Sequence, residues 1–157
     1  MIKPEDLRIG DIVKVNKIGC ALHKNAIFKV VGIRSKHYNT TEKRFRGSVE
    51  LIDVNGLDED CCDSPYGLWC KSIAPIFLTP ELLKKNNFKE EQHQKEGTSE
   101  WYDFYHYDLG INIVYEVEDK ESKFAAYLDG KKLREIQYVH ELQHILWALG
   151  LNAELKI

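Results

Sequence analysis

Short stretches of apolar residues, separated by polar turns, run through the first half of the chain. Residues 12–15, 27–33 and 48–54 are rich in β-branched side chains, and the Asn55-Gly56 pair after them is a turn signal. A further stretch, residues 67–77, contains Pro75, which belongs at a sheet edge or a strand end. Four or five short strands predict a small β-barrel of the SH3 type over residues 1–78.

The second half predicts an antiparallel sheet and two helices. Thr79, Pro80 and Glu81 form a helix start, with a capping hydroxyl, a proline for the first turn and an acid for the positive dipole end. Residues 89–100 are polar without periodicity and predict a loop or linker. Alternation then returns over residues 101–128, and Asp129-Gly130 predicts a hairpin turn.

The strongest helix signal lies near the end of the chain, over residues 138–149. Apolar residues recur there at helical spacing, and Gly150 ends the pattern. Alternating apolar residues over 151–157 predict a closing strand. The predicted fold class is therefore α+β, with an SH3-like barrel over 1–78 followed by an antiparallel sheet with one packed C-terminal helix over 79–157.

Composition narrows the functional classes without choosing one. The chain has 157 residues, of which 43% are hydrophobic and 30% charged, and a net charge of −3 argues against a general polyanion binder. No apolar run approaches the ~18 residues of a membrane span, so we expect no membrane partner. The first ten residues lack an apolar leader, which predicts a cytoplasmic protein. The spacing of the four cysteines fits neither a disulfide framework nor a zinc knuckle.

One segment of the C-terminal helix matches the zinc-hydrolase pattern H-E-x-x-H. His140 and His144 would lie on one helix face and could share a zinc ion, with Glu141 as the general base. A catalytic zinc normally takes three protein ligands. Glu154 is the downstream candidate, and nothing in the sequence selects among the upstream candidates His106, Asp108 and Glu135. Two histidines on a surface or between domains are the alternative interpretation.

Basic residues cluster between two of the predicted strands, with Tyr38 and Phe45 among them. Cationic groups could contact phosphates while rings stack on bases, which is how small barrels bind nucleic acid. The alternative is a solvated hairpin loop. The candidate nucleic-acid-binding residues are Arg34, Lys36, Arg44 and Arg46. The aromatic residues over 101–107 could also stack on bases, although a strand packed on both faces is the favoured interpretation.

Three stretches together resemble a known family: residues 7–11 (LRIGD), 75–84 (PIFLTPELLK) and 138–143 (YVHELQ). Their order and spacing are similar to those of short uncharacterised proteins from gut Bacteroidetes genomes, their phages and mobile elements. The resemblance implies no established activity. It implies that the H-E-x-x-H match is incidental, and that His140, Leu142 and Gln143 serve the packing of the helix.

These observations favour a non-enzymatic binding or accessory protein of phage or mobile-element origin. It would act through protein or nucleic-acid contacts, with an unidentified protein as its main partner and no cofactor. Two alternatives stay open. One is a zinc metallohydrolase that uses His140, Glu141 and His144, and the other is a nucleic-acid-binding small barrel that uses the basic cluster.

Overall fold

The computed structural model of the protein describes residues 6–15, 27–39, 44–54, 66–69, 73–119 and 121–157. It divides into two compact units, Met1–Ile76 and Phe77–Ile157. Each unit contains a five-stranded antiparallel sheet, and the second unit also contains a C-terminal helix. The prediction of an α+β protein with this helix is confirmed. The four cysteines and the Asn55-Gly56 turn lie outside the described residues.

In the sheet of the first unit, the first strand along the chain pairs with the last one. Its core side chains alternate along the strands, and Phe28, Val30, Val49 and Leu51 are all fully buried. In the described residues the sheet has two separate edges, and no closed barrel is seen. The strands are β1 (Ile12–Val15), β2 (Ile27–Asn39), β3 (Arg44–Asp53), β4 (Tyr66–Trp69) and β5 (Ile73–Pro75), in the order β4-β3-β2-β1-β5.

Two predictions for the first unit need correction. The basic cluster lies within the long strands β2 and β3 rather than in a loop, because the strand pairing continues out to Asn39 opposite Arg44. The predicted strand over residues 67–77 is two strands, β4 and β5, on opposite edges of the sheet. Pro75 lies in the edge strand β5, as its missing N–H requires.

The sheet of the second unit is a meander in which every strand pairs with its neighbours in sequence. Asp129 and Gly130 both have positive φ, 49° and 73°, which suits the tight turn that the sequence predicts between its last two strands. The strands are β6 (Lys89–Glu96), β7 (Ser99–His106), β8 (Ile111–Glu118), β9 (Glu121–Leu128) and β10 (Lys131–Ile136), in the order β10-β9-β8-β7-β6.

Strand β6 corrects the prediction of a loop over residues 89–100. All eight of its side chains are exposed, so the strand has no buried face and no apolar alternation. It forms the sheet edge and pairs with β7 from Lys89 opposite Tyr105 to Glu96 opposite Ser99. Charged and amide side chains are typical of an edge strand, since they discourage pairing with another chain.

Both helices begin where the sequence predicts. Helix α1 (Pro80–Lys85) is capped by Thr79, whose hydroxyl accepts a hydrogen bond from the Leu82 N–H at 3.3 Å. Helix α2 (Val139–Ala148) ends before Gly150, whose φ is 72°. The Leu151 N–H then donates to the Leu146 carbonyl at 2.9 Å, which is the closing bond of a Schellman turn. Neither helix is long and apolar enough to cross a membrane.

The C-terminal segment, residues 151–157, has no regular secondary structure, so the predicted closing strand is wrong. Its apolar residues are still less exposed than their polar neighbours. Side-chain amides hold its backbone: Asn86 both donates to the Lys156 carbonyl (2.9 Å) and accepts from the Lys156 N–H (2.7 Å). Gln143 donates to the Ala153 carbonyl at 3.0 Å. The apolar and polar side chains of this segment do alternate in exposure, as predicted. Backbone groups of the segment, however, bond to side chains instead of to a neighbouring strand.

Candidate functional site

Helix α2 carries the residues of the H-E-x-x-H match and packs through its apolar stripe. Val139, Leu142 and Leu146 are at most 1% exposed, so this face belongs to the core of the second unit. The same unit buries one face of its sheet, including Phe104 and Ile113. The helix is therefore held by burial of its apolar face, and the histidines lie on a different part of its surface.

The two histidines lie next to each other, one turn apart. Their ring centroids are 5.7 Å apart and the rings are nearly perpendicular. Two imidazoles that share one tetrahedral zinc have centroids about 5 Å apart, so the spacing is close to that of a shared ion. His140 is only 5% exposed, whereas His144 is partly exposed. A molecule in solution therefore meets His144 first.

The carboxylate of Glu141 caps the start of α2. Its Oε2 accepts hydrogen bonds from the backbone N–H groups of Gln137 (2.7 Å) and Tyr138 (3.1 Å). Its Oε1 pairs with the Arg134 guanidinium at 3.2 Å. A glutamate at the third helical position is the usual capping-box residue. The geometry thus gives Glu141 a structural set of partners, and its role as general base stays a prediction.

The described residues supply no third ligand beside the two histidines. No group of three or more His, Cys, Asp or Glu side chains in the described part of the chain could hold a metal ion. His106 packs edge-on against Phe88 at 5.0 Å, and Glu135 pairs with Lys132 at 2.8 Å. The hydrogen bond from Lys132 lowers the pKa of Glu135. His140 and His144 as zinc ligands therefore stay a prediction with two of the three expected ligands.

Four rings form a continuous row beside the helix, which we call the ring row: Phe77, Tyr138, His140 and His144. Phe77 and Tyr138 have centroids 5.1 Å apart, and Tyr138 stacks on His140 at 5.6 Å with nearly parallel planes. Phe77 is 53% exposed. Trp147, which lies one turn beyond His144, is 64% exposed. Sequence reasoning missed Phe77 because a bridge between Phe77 and Tyr138, distant in sequence, brings it to the row.

Gln143 has the structural role that the family resemblance implies. It is 4% exposed and lies on the buried side of α2. Its side-chain amide reaches the Ala153 carbonyl and so connects the helix to the C-terminal segment. Leu142, 1% exposed, is likewise a packing residue.

The basic cluster lies on the β2–β3 hairpin. Strand pairing places Arg34 opposite Ser48, His37 opposite Arg46 and Asn39 opposite Arg44, with a register shift between Arg34 and His37. The side chains of Arg34, Lys36, Arg44 and Arg46 lie outside the described part of the structure. Their assignment to nucleic acid therefore stays a prediction.

The aromatic strand β7 is packed on one face only, which corrects the interpretation that both faces are buried. Phe104 is fully buried, but Trp101 and Tyr105, on the opposite face, are half-buried. Tyr107 just beyond the strand is 57% exposed. The second sheet thus presents an open, partly aromatic face.

Comparison with known proteins yields one relative with a described activity. The chain is 29% identical over 113 aligned residues to Endoribonuclease YbeY of Lactobacillus gasseri. The alignment covers 66% of this chain and 62% of that protein, so the chain spans less than two thirds of the relative's length. No protein-family model and no solved structure matches the chain.

This similarity contradicts the expectation of a non-enzymatic accessory protein of phage or mobile-element origin. The relative is named for an enzyme that acts on RNA, and its likeness extends over most of this chain. The resemblance to the Bacteroidetes family stays a prediction, since nothing in these comparisons tests it.

Proposed function

We propose that this chain is a nucleic-acid-processing enzyme that cleaves RNA, with its reacting side chain on helix α2. The similarity to Endoribonuclease YbeY carries the proposal. The ring row supplies residues of suitable chemistry. His144 is the partly exposed imidazole of the pair, and His140 lies edge-on behind it. In this proposal His144 is the catalytic residue and His140 positions its ring.

The exposed aromatic residues beside His144 would hold the substrate. Trp147 and Phe77 are each more than half exposed. Unpaired RNA bases stack on such rings with little sequence preference, typically with about 1–3 kcal/mol per base. A single-stranded RNA lying along the ring row would bring its phosphodiester backbone close to His144.

An imidazole suits RNA cleavage because its pKa lies near neutral pH. His144 would take the proton of a ribose 2′-hydroxyl, and the 2′-oxygen would form a bond to the adjacent phosphorus. The bond from phosphorus to the 5′-oxygen would break, and His144 would return the proton to that leaving oxygen. The products are a 2′,3′-cyclic phosphate and a 5′-hydroxyl, so the step needs no other reactant.

The basic cluster of the first unit would attract RNA to the chain by a contact separate from the ring row. Residues 79–157 carry 10 basic and 15 acidic side chains, whereas residues 1–78 carry 12 basic and 10 acidic ones. The second unit alone therefore repels phosphates. Arg34, Lys36, Arg44 and Arg46 would supply the attraction, and affinity for RNA should fall steeply with salt.

The zinc alternative makes a different prediction about Glu141. If zinc bound to His140 and His144 activated a water molecule, Glu141 would act as the general base and its loss would abolish turnover. If His144 acts directly, Glu141 only caps the helix. We derive no step through zinc, because the described residues supply only two of its ligands.

The test is cleavage of a fluorescent single-stranded RNA by the full chain and three variants. We expect His144→Ala to lower the rate by about 100-fold or more, and Glu141→Gln to keep most of it. Trp147→Ala should weaken RNA binding more than it lowers the maximal rate. A 2′-deoxy substitution at the cleaved position should block the reaction.

Two results would overturn the proposal. The first is absence of turnover in the wild-type protein across RNAs of different sequence. The second is turnover that survives His144→Ala, which would point to a contaminating nuclease. Turnover lost in Glu141→Gln, with stoichiometric zinc that His144→Ala removes, would replace direct catalysis by the zinc alternative.

The first unit is proposed to be an SH3-like barrel whose two halves share strand β2. Two features support this: β5 pairs with β1, and β2 is 13 residues long with register shifts at two points. Such bulges let one strand bend and take part in two sheets. Nuclear Overhauser contacts between core side chains of β3 and β5 are expected, and their absence would leave an open sheet.

A further inference from the structure

The open face of the second sheet contains a groove separate from the ring row. Alternation and strand register place Trp101 and Asp103 of β7 on the same face as Val114 and Glu116 of β8. The Trp101 indole N–H confirms this by donating to Glu116 Oε1 at 3.1 Å. The groove is shallow and open to solvent, and its volume of about 340 Å³ lies between these strands and the edge strand β6, at the lower end of the range of small-ligand sites.

The groove is rich in hydrogen-bond acceptors. Glu96 and Asp103 contribute carboxylates to its lining, Gln92 and Gln94 contribute amides, and no lining residue is cationic. The only indole N–H in the lining is already bonded to Glu116. A phosphate group would be repelled here, whereas an uncharged group that carries N–H donors would be attracted.

Two buried oxygens at this face lack a donor. Oδ1 of Asp103 and Oδ1 of Asn112 are buried and have no hydrogen-bond partner, although a side-chain hydrogen bond joins Asn112 to the Asp103 carboxylate. Buried acceptors without donors are costly and call for an explanation. Asp103 as a whole is only half-buried, and rotation of its terminal bond away from Asn112 can turn the carboxylate toward the groove with both oxygens available.

We infer that this groove binds a guanine base of single-stranded RNA. Guanine carries two adjacent N–H donor groups on its Watson–Crick edge, which match the two oxygens of one carboxylate. Adenine and cytosine offer one amino group next to an acceptor, and uracil offers one N–H between two carbonyls. The flat face of Trp101 provides the stacking surface.

Protonation of the Asp103 carboxyl makes the preference for guanine depend on pH, which gives a second measurement. Burial raises the pKa of Asp103, and the nearby charge of Glu91 raises it further, while the Asn112 side chain opposes the shift. Besides Glu91, Glu116 of β8 lies on this face, and Glu96 of β6 contributes a further carboxylate to the groove lining. The guanine edge needs the ionised carboxylate, so the preference for guanine should weaken as pH falls.

This inference rests on the proposed action on RNA, but its test does not require cleavage. The probes are fluorescein-labelled 2′-O-methyl pentamers UUGUU, UUAUU and UUUUU, which lack the attacking hydroxyl. Fluorescence anisotropy with the full chain should show about tenfold tighter binding of UUGUU. Asp103→Asn should remove this preference, because an amide offers a single acceptor. Glu121→Gln, an exposed acid outside the groove, is the matched control and should keep it.

Three outcomes would overturn the inference. They are equal affinity for all three pentamers, a guanine preference that survives both Asp103→Asn and Trp101→Ala, and tighter binding of a neutral oligosaccharide such as maltoheptaose. His144→Ala separates this inference from the proposed activity. A variant that no longer cleaves RNA but still prefers UUGUU supports the groove, whereas cleavage without a guanine preference refutes the groove alone.

Discussion

The last segment of each unit is attached to the rest of that unit by a different kind of hydrogen bond. In the first unit, strand β5 returns to pair with β1, with Val13 opposite Pro75 and Val15 opposite Ile73. In the second unit, residues 151–157 pair with no strand, and the amides of Asn86 and Gln143 hold them. A ladder distributes the attachment over successive backbone groups. In the second unit the attachment is concentrated in three side chains, because the Lys85 ammonium also donates to the Ile157 carbonyl at 2.6 Å. Single substitutions should therefore loosen the second unit's end more easily.

The two sheets also differ in how far apart their neighbouring strands lie in the sequence. All pairs in the second sheet join consecutive strands, whereas the first sheet places β1 beside β5. Consecutive pairing closes short loops, while the β1–β5 pair must close most of the unit at once. The second sheet should therefore form faster, and the four predictions below test the contrast from the largest expected effect to the smallest.

The largest effect on stability is expected from truncating one buried aromatic side chain in the core of each unit. Phe28 and Phe104 are both 0% exposed, one in each unit. Phe28→Ala and Phe104→Ala should each lower the free energy of unfolding by about 3–5 kcal/mol in its own unit. Native-state hydrogen exchange should show faster exchange confined to the unit that carries the substitution. Equal acceleration in both units after either substitution would show that they unfold as one.

The next effect concerns the amide that holds the C-terminal segment. Asn86→Ala removes both hydrogen bonds to Lys156 and should cost about 1–2 kcal/mol. The exchange rate of the Lys156 amide and urea denaturation measure the loss. Asn86→Asp keeps the acceptor and loses the donor, so its effect should be intermediate. A Lys156 amide equally protected in all three proteins would contradict the proposed attachment.

A smaller effect is expected at the start of helix α1. Thr79→Ala removes the hydroxyl that caps the Leu82 N–H and should cost about 1 kcal/mol. Thr79→Ser retains the acceptor and should be close to wild type in thermal denaturation. If alanine and serine behave alike, the cap does not contribute to the second unit's stability.

The smallest effect should appear as a dependence on pH at Asp103. Burial raises its pKa in the folded protein, so the folded state holds the proton to higher pH than the unfolded state does. Stability is therefore lost as pH rises from the ordinary aspartate pKa to the raised one. Asp103→Asn should match wild type near pH 3 and have the higher melting temperature near pH 7. If Asp103→Asn gave the same gain in melting temperature at pH 3 and at pH 7, burial of the charged carboxylate would not be the cause.

Local signals predicted the elements whose geometry depends on nearby residues. Thr79 and Pro80 begin α1 and Gly150 ends α2, because caps and turns are set within a few positions of the chain. Strand β6 escaped prediction because its exposed side chains leave no alternation to detect. The predicted loop around Arg44 was wrong for a similar reason, since pairing between β2 and β3 extends beyond the apolar residues.

In the candidate site, too, features set by nearby residues could be predicted, and features set by distant contacts could not. The spacing of His140 and His144 alone puts the two rings on adjacent turns of a helix, because the helical repeat is a local property. The proposed activity class comes from likeness to another protein and not from the spacing, and that likeness contradicts the expectation of a non-enzymatic accessory protein. Phe77 could not be assigned to the site, since its contact with Tyr138 depends on a bridge between distant segments.

The sequence by itself determined the helices, most strands, the hairpin turn at Asp129 and the pairing of apolar faces. Only the tertiary structure decided which partners the polar side chains take. It turns Glu141 toward the helix start and Arg134, pairs Asn86 with the backbone of Lys156, and leaves one oxygen each of Asp103 and Asn112 buried without a donor. The physical reason is the sequence distance over which each signal acts. Apolar periodicity depends on residues close together in the sequence, whereas a side-chain hydrogen bond depends on which distant groups the fold brings within about 3 Å.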